Sequence, residues 1–311
     1  MAITAGMVKE LREMTGAGMM DCKKALAETN GDMDEAVEFL RKNGQAKAAK
    51  KASRIAAEGL VKVVIEGDKK AAIVEVNSET DFVAKNADFQ AFVSEVANQA
   101  LATETSNIDD FLAEKWLTDN SKTVNDVLTD KVATIGEKLS IRRFEKVSAD
   151  NGCVVSYIHG GGRIGVIVKA TSAVVNDEVK EALVNVAMQI AALNAKYVNS
   201  DDVSAEYKEH EKEIIMVQMA QDPAMANKPE KVLEGIVVGR LNKELKEICL
   251  LEQPYVKAED GKQPVKAYLQ QVSKAVGADI TVDAFVRFET GEGIEKKQEN
   301  FAEEVAAQMG K

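Results

Sequence analysis

A chain of 311 residues that is 45% hydrophobic and 29% charged has room for two or three domains with cores of their own, and this composition excludes intrinsic disorder. Its net charge of -11 argues against nucleic acid as a direct partner, because a phosphate backbone is held by a basic surface. No apolar run approaches the ~20 residues of a membrane span, and Met1-Ala2-Ile3-Thr4 has neither the charged nor the apolar part of a signal peptide, so the expected compartment is the cytoplasm, away from membrane.

Three short helices are expected first. Thr4 is placed to cap a helix carrying Met7, Val8, Leu11 and Met14 at helical spacing, and Gly16-Ala17-Gly18 breaks it. A second helix runs through Ala25 and Leu26 to Asn30-Gly31. Asp32 with Glu35 three residues on resembles a capping box opening a third, with Ala36, Val37 and Leu40 inward and Asn43-Gly44 ending it. Roughly 45 residues is near the lower size limit of a domain without metal or disulfide, so docking is a better role for it than chemistry. From Arg41 to Arg54 the chain then carries Arg41, Lys42, Lys47, Lys50, Lys51 and Arg54 with no acidic residue. Such a run reads as a solvated helix or linker ahead of an RNA-binding patch, and an acidic protein surface is a further candidate partner.

Next comes a hairpin, Val61, Val63 and Ile65 against Ile73, Val74 and Val76 across a Gly67-Asp68 turn. Phe89, Phe92, Val93, Val96, Ala97, Ala100 and Leu101 form the apolar stripe of a helix. A polar connection containing Trp116 leads to a helix around Val124, Val127, Leu128 and Val132, and then to a strand ending Ile141-Arg142-Arg143-Phe144-Glu145. The same order recurs. Cys153 to Ile158 and Ile164 to Lys169 make a second hairpin, and a helix with Val179, Leu183, Ala187, Ile190 and Ala191 follows. Pro264-Val265-Lys266-Ala267-Tyr268-Leu269 echoes Thr123-Val124-Asn125-Asp126-Val127-Leu128, Gly277 echoes Gly136, and Val286-Arg287-Phe288-Glu289 echoes Arg142-Arg143-Phe144-Glu145. The fold class expected is α+β, with a duplicated core of two three-stranded antiparallel sheets covered by helices.

Between the helices of the second copy, residues from about 203 to 248 read as an inserted helical hairpin. Its first arm carries Tyr207, Ile214 and Val217, its turn holds Pro223 and Pro229, and its second arm carries Leu233, Val237, Leu241, Leu245 and Ile248. It is either an interaction arm or packs back on its own domain.

Chemistry is hard to find in this chain. Cys22, Cys153 and Cys249 lie far apart without CxxC spacing and read as small buried hydrophobes. Of the two histidines, His210 lies among Glu206, Glu209, Glu211 and Glu213 on a solvated face, and nothing marks Cys153 as activated by His159. Gly160-Gly161-Gly162-Arg163-Ile164-Gly165 satisfies GxGxxG, but a strand follows where a dinucleotide site needs a helix, so the glycines read as a hairpin turn with His159 exposed at its edge. No cofactor is expected. One segment stands out, Asn77-Ser78-Glu79-Thr80-Asp81-Phe82-Val83-Ala84-Lys85, where the second copy has only Thr171-Ser172-Ala173-Val174-Val175. Phe82 and Val83 could plug the sheet, or Phe82 beside Asp81 could form a wedge, an anchor for a partner's pocket next to a charge that disturbs it.

Together, Thr80-Asp81-Phe82-Val83, the run Leu11-Arg12-Glu13-Met14-Thr15-Gly16-Ala17-Gly18-Met19-Met20-Asp21-Cys22-Lys23-Lys24-Ala25-Leu26, and Arg287-Phe288-Glu289-Thr290-Gly291-Glu292-Gly293-Ile294 resemble the bacterial elongation factor Ts family over essentially the whole chain. The resemblance implies a ubiquitin-associated-like three-helix domain with its basic linker at 1–55, core subdomains at 56–148 and 149–290, and a small C-terminal helical module at 291–311. It also implies a guanine nucleotide exchange factor that binds elongation factor Tu, GDP-bound and nucleotide-free, without covalent chemistry. By the same resemblance Asp81 and Phe82, with Thr80 and Val83, enter the partner's nucleotide domain near its magnesium and phosphate elements. His159 presses from the second subdomain, Ile135 and Gly136 line the contact, and Arg12, Met19 and Met20 dock the first domain. Ile248 and Met309 carry over as partner contacts, and the helical hairpin as a dimerisation element. Two other readings of the residues are an adaptor using only the first segment, which leaves the duplicated core unexplained, and an enzyme using Cys153 and His159.

Overall fold

The computed structural model describes residues 3–225 and 228–295, so Met309 and most of the 291–311 segment lie outside the described residues. The chain divides into two compact units, each drawn from non-contiguous stretches. The first takes 3–62, 74–145 and 288–295, and the second takes 63–73 and 146–287.

The first unit opens with α1 (Ala5–Thr15), α2 (Met19–Glu28) and α3 (Met33–Lys51). Thr4 Oγ1 accepts from Met7 N at 3.3 Å and Asp32 Oδ1 from Glu35 N at 2.8 Å, so both N-caps form, but Asp32 N donates to Thr29 O at 3.0 Å in place of the reciprocal half of a capping box. Val8, Leu11, Cys22, Ala25, Leu26 and Ala36 make the core between the helices. Two expectations need correction. Met14 is exposed: it lies in the last turn of α1, beyond the buried pair Val8 and Leu11. And α3 does not stop at Asn43-Gly44: it runs on to Lys51 because Gly44 is buried, where the absent side chain allows close approach to a later helix. A Cβ built on Gly44 would lie 3.3 Å from Ala133 Cβ.

The strands β1 (Glu58–Glu66) and β2 (Lys70–Ser78) meet across Gly67 and Asp68, both at positive φ (56° and 59°), as a two-residue hairpin turn requires. β2 is buried along almost its whole length, which suits Ala-Ala-Ile-Val to the centre of the sheet order β1-β2-β5. One short helical turn, α4 (Asp81–Ala84), precedes α5 (Ala87–Ala102), whose stripe is buried from Phe89 to Ala100 with Leu101 half-exposed. The polar connection around Trp116 is more ordered than its composition suggests. It holds α6 (Ile108–Ala113) and a small ribbon of β3 (Lys115–Trp116) and β4 (Asp119–Thr123), because Trp116 stacks on Phe92 at 6.3 Å and Phe111 on Phe144 at 4.6 Å. Next, α7 (Val124–Ile135) starts in a capping box between Thr123 and Asp126 and ends at left-handed Gly136, and β5 (Ser140–Ser148) completes the sheet.

The second unit repeats that order: β6 (Cys153–His159), β7 (Ile164–Ser172), α8 (Asp177–Leu193), then α9 (Ala205–Ala220), α10 (Glu230–Ile248), α11 (Val265–Val276) and β8 (Ile280–Glu289). β6 and β7 are antiparallel, from Cys153 opposite Ala170 to His159 opposite Ile164, and β7 runs three residues beyond Lys169 to Ser172. The sheet order is β6-β7-β8. The duplication reaches the backbone. Gly136 and Gly277 both end their helices left-handed, and a Cβ on Gly59 would strike Val76 O at 2.2 Å just as one on Gly152 would strike Ala170 O at 2.1 Å. Helices α9 and α10 pack on each other through Ile215, Met219, Val237, Leu241 and Leu245. Their apolar face is one residue round from the expected one on α9: Ile215 and Met219 turn inward, and Ile214 and Val217 are exposed.

Glu75, on β2, closes the first unit. Its buried carboxylate accepts from Arg142 Nη1 (3.0 Å), Arg143 Nε (2.6 Å), Asn77 Nδ2 (3.1 Å) and Gly291 N (2.8 Å). Burial alone would raise its pKa, but the Gly291 and Asn77 hydrogen bonds with the two guanidinium groups outweigh it, and the net shift is downward. A lowered folded pKa contributes stability that is present above the unfolded value, about 4.3, and is lost as pH falls through the folded value. Thermal melts should therefore show the protein losing stability on acidification below about pH 4.3. Glu75→Gln should melt earlier at pH 7, by the equivalent of about 2 kcal/mol, and depend less on pH in that window.

Candidate functional site

The segment singled out in the sequence leaves the central strand β2 and folds into α4. Thr80 is its N-cap, with Oγ1 accepting from Val83 N at 3.4 Å. Ala84 is buried and Val83 half-buried, so this side of the turn is anchored. Phe82 points the other way and is 80% exposed, which corrects the reading of it as a plug for the sheet. Leaving a phenylalanine in water forgoes about 2 kcal/mol of burial, so its position serves something other than this fold. Beside it, exposed Asp81 accepts from Lys85 Nζ at 2.6 Å, and this hydrogen bond holds its carboxyl below the usual range and ionised at neutral pH.

Ile135 and Gly136 end α7, Ile135 half-buried and Gly136 exposed. They lie beside the turn just described, since Thr80 Oγ1 donates to Glu137 Oε1 at 2.7 Å. The basic stretch comes to the same place. Arg41 pairs with Asp126 (3.3 Å) and Lys47 with Asp21 (2.9 Å), Lys51 Nζ donates to Gly136 O (2.6 Å), and Arg54 pairs with Glu79 (3.2 Å). Four of its six cations are thus engaged within the chain, and the stretch is helical as far as Lys51, the end of α3, which agrees with the reading of it as a solvated helix. Burial beside Arg54 pushes the Lys51 ammonium pKa down.

Elsewhere in the first unit, Arg12 in the last turn of α1 and Met19 and Met20 in the first turn of α2 flank the loop at Gly16-Ala17-Gly18. All three are exposed, Met20 by 73%. In the second unit His159 is exposed at the end of β6, before a turn of three glycines, with Nδ1 3.0 Å from Tyr157 Oη. Ile248 is half-buried against the core of α9 and α10, and its carbonyl accepts from Lys196 N at 2.8 Å. Ile248 thus packs within this unit with part of its surface open, and Met309 lies outside the described residues.

A Cys153/His159 nucleophile pair is ruled out by geometry. The two occupy opposite ends of β6, about 20 Å apart at strand rise, and burial pushes the Cys153 thiol up, away from the reactive thiolate. Among the described residues no cluster of His, Cys, Asp and Glu is arranged to hold a metal, and no helix is long and apolar enough to cross a membrane. A cleft lined by Met14, Phe39, Lys47, Asp130 and Ala133 contains two ion pairs, Lys47 with Asp21 and Lys122 with Asp130.

The first unit presents Phe82 and Asp81 on an exposed turn, and an exposed aromatic side chain of this kind is what a protein contact surface uses as an anchor. The family model for elongation factor TS matches residues 79–292. Elongation factor Ts of Clostridium perfringens is 52% identical over 310 residues, 99% of this chain and 100% of that protein, and its counterpart in Clostridium botulinum is 51% identical over 308 residues, 99% and 98%. The chain belongs to the elongation factor Ts family.

The sequence singled out the segment, with plug and wedge both open, but not the residues that hold it: Glu137, Lys51 and Arg54 act over separations of 25 to 85 positions. Because Phe82 touches so little of its own fold, Phe82→Ala should change stability by no more than about 0.5 kcal/mol in chemical denaturation. A loss above about 1.5 kcal/mol would return Phe82 to the role of a plug.

Proposed function

We propose that this protein is a guanine nucleotide exchange factor for elongation factor Tu, promoting GDP release during translation elongation. The family supports the choice of partner, and the exposure of Phe82 beside an ionised Asp81 is the observation that carries the mechanism. In this reading Asp81 and Phe82 enter the partner's nucleotide domain near its magnesium and phosphate-binding elements. Thr80 and Val83 hold the turn, Ile135 and Gly136 line the contact, and His159 presses from the second unit. The three-helix segment, taken as ubiquitin-associated-like, docks through Arg12, Met19 and Met20. A role for Met309 and for dimerisation through α9 and α10 belongs to the same reading. The protein works in the cytoplasm and forms no covalent intermediate.

The energetics follow from linkage. GDP and the factor weaken each other's binding by the same free energy, so the factor binds nucleotide-free elongation factor Tu most tightly and yet must engage the GDP-bound form first. Mg²⁺ bridging phosphate and protein supplies much of the nucleotide's hold, and displacing its surroundings removes that hold without chemistry. Phe82 supplies anchoring energy and Asp81 local disruption.

Release of a fluorescent GDP analogue from elongation factor Tu should accelerate strongly with catalytic amounts of this protein. Phe82→Ala should lose both binding and exchange, by at least about tenfold for a buried aromatic anchor. Asp81→Ala should lose exchange more than binding. Equal losses for Asp81→Ala would end that division of labour, and no acceleration by the folded protein would move an adaptor role to first place.

A further inference from the structure

We propose that Glu137 is a positioning residue for exchange, one that sets the Asp81-Phe82 turn in its working orientation by joining it to the end of α7. The proposal rests on the exchange function and extends it to a residue that never needs to touch the partner.

Glu137 and Glu79 form a reciprocal clasp. Glu137 Oε2 accepts from the backbone N of Glu79 (3.0 Å) and of Thr80 (3.1 Å), and its Oε1 accepts from Thr80 Oγ1 (2.7 Å). In return Glu79 Oε1 accepts from Lys138 N at 2.5 Å and from Arg54 Nη1 at 3.2 Å, and Lys138 Nζ donates to Arg54 O at 2.7 Å. Each glutamate side chain thus satisfies backbone donors of the other's segment. The hydroxyl of Thr80 is the pivot. By donating its proton to Glu137 it is left with a lone pair directed at Val83 N, the bond that starts α4 and so fixes where Phe82 points.

The duplicated core supplies an internal comparison. Aligning Gly136 with Gly277 and Ser78 with Ser172 places Ala278 where the first copy has Glu137 and Ala173 where it has Glu79. The copy without the exposed aromatic turn lacks both halves of the clasp. A sheet of this kind therefore forms without the two glutamates, which ties them to the turn more than to the sheet. Holding the turn before docking also removes the entropy cost of ordering it at the moment of binding.

The test uses the full chain with Glu137→Ala and Glu137→Gln, read three ways: release of a fluorescent GDP analogue from elongation factor Tu, amide hydrogen exchange, and melting temperature. Glu137→Ala should slow catalysed release about tenfold and remove amide protection at Glu79, Thr80 and Val83, while lowering the melting temperature by no more than about 4 °C. Glu137→Gln keeps an oxygen for the two backbone donors and should recover release to within about threefold of the wild type, together with the lost protection. The proposal is overturned if Glu137→Ala releases GDP within about twofold of an active wild type, or if its defect comes with loss of protection throughout the first unit and is not rescued by glutamine. A wild-type protein inert toward elongation factor Tu would instead overturn the exchange reading, and this proposal with it.

Discussion

The carboxylate of Glu75 is fully buried on the central strand of the first sheet, where it meets two guanidinium groups, an amide and the backbone N of Gly291. A charge in that position is tolerable only because every donor is in place; removing any one would leave ionised groups without compensation. The constraint reaches in both directions along the chain. Arg143 also reaches Glu289 O and Glu292 Oε2 and lies 4.2 Å over the ring of Phe288, so 288–292 is fixed to the first unit although the residues before it belong to the second. Three residues after Glu75, β2 ends at Ser78 and gives way to the turn that carries Asp81 and Phe82.

On that base the first unit assembles a surface from parts remote in sequence. The end of α3, the end of α7 and the turn after β2 converge through backbone carbonyls and N–H groups capped by side chains: Lys51 on Gly136 O, Glu137 on Glu79 N and Thr80 N, Glu79 on Lys138 N. None of these bonds is individually strong where exposed, and ion pairs such as Arg54 with Glu79 contribute at most about 1 kcal/mol each. Their joint effect is geometric. Separate hydrogen bonds on a short turn leave it few alternative conformations, which is what presenting one aromatic side chain to a partner demands.

Duplication gave two similar units that diverged at different points. The first copy has the longer connection after its hairpin, a turn with Phe82 outward, and the second has a short connection there and carries α9 and α10 between its helices. The inserted pair buries Ile215, Met219, Val237, Leu241 and Leu245 between its own helices and joins them by Tyr207 Oη donating to Glu244 Oε1 at 2.8 Å. It holds its shape by local contacts, as an insertion must if the surrounding core is to stay intact.

Local patterns made most of the elements legible. Capping residues at Thr4 and Asp32, the Gly67-Asp68 turn, the stripe from Phe89 to Ala100 and the echo of Thr123–Leu128 in Pro264–Leu269 depend on residues a few positions apart, where steric and hydrogen-bonding rules act directly. The same locality made Asp81-Phe82 conspicuous. It failed where a distant partner decides. Gly44 looks like a helix stop but is helical because Ala133 packs on it, the basic stretch gives no sign of its partners Asp126, Asp21, Gly136 and Glu79, and the connection around Trp116 looks polar but is ordered by Phe92. By itself the sequence determined the order of elements, the duplication and the unusual turn, because period, caps and glycines are properties of neighbouring residues. Only the tertiary structure decided that Phe82 stands in solvent and that Glu137 holds the turn beneath it, because exposure and long-range hydrogen bonds exist only once distant segments have packed.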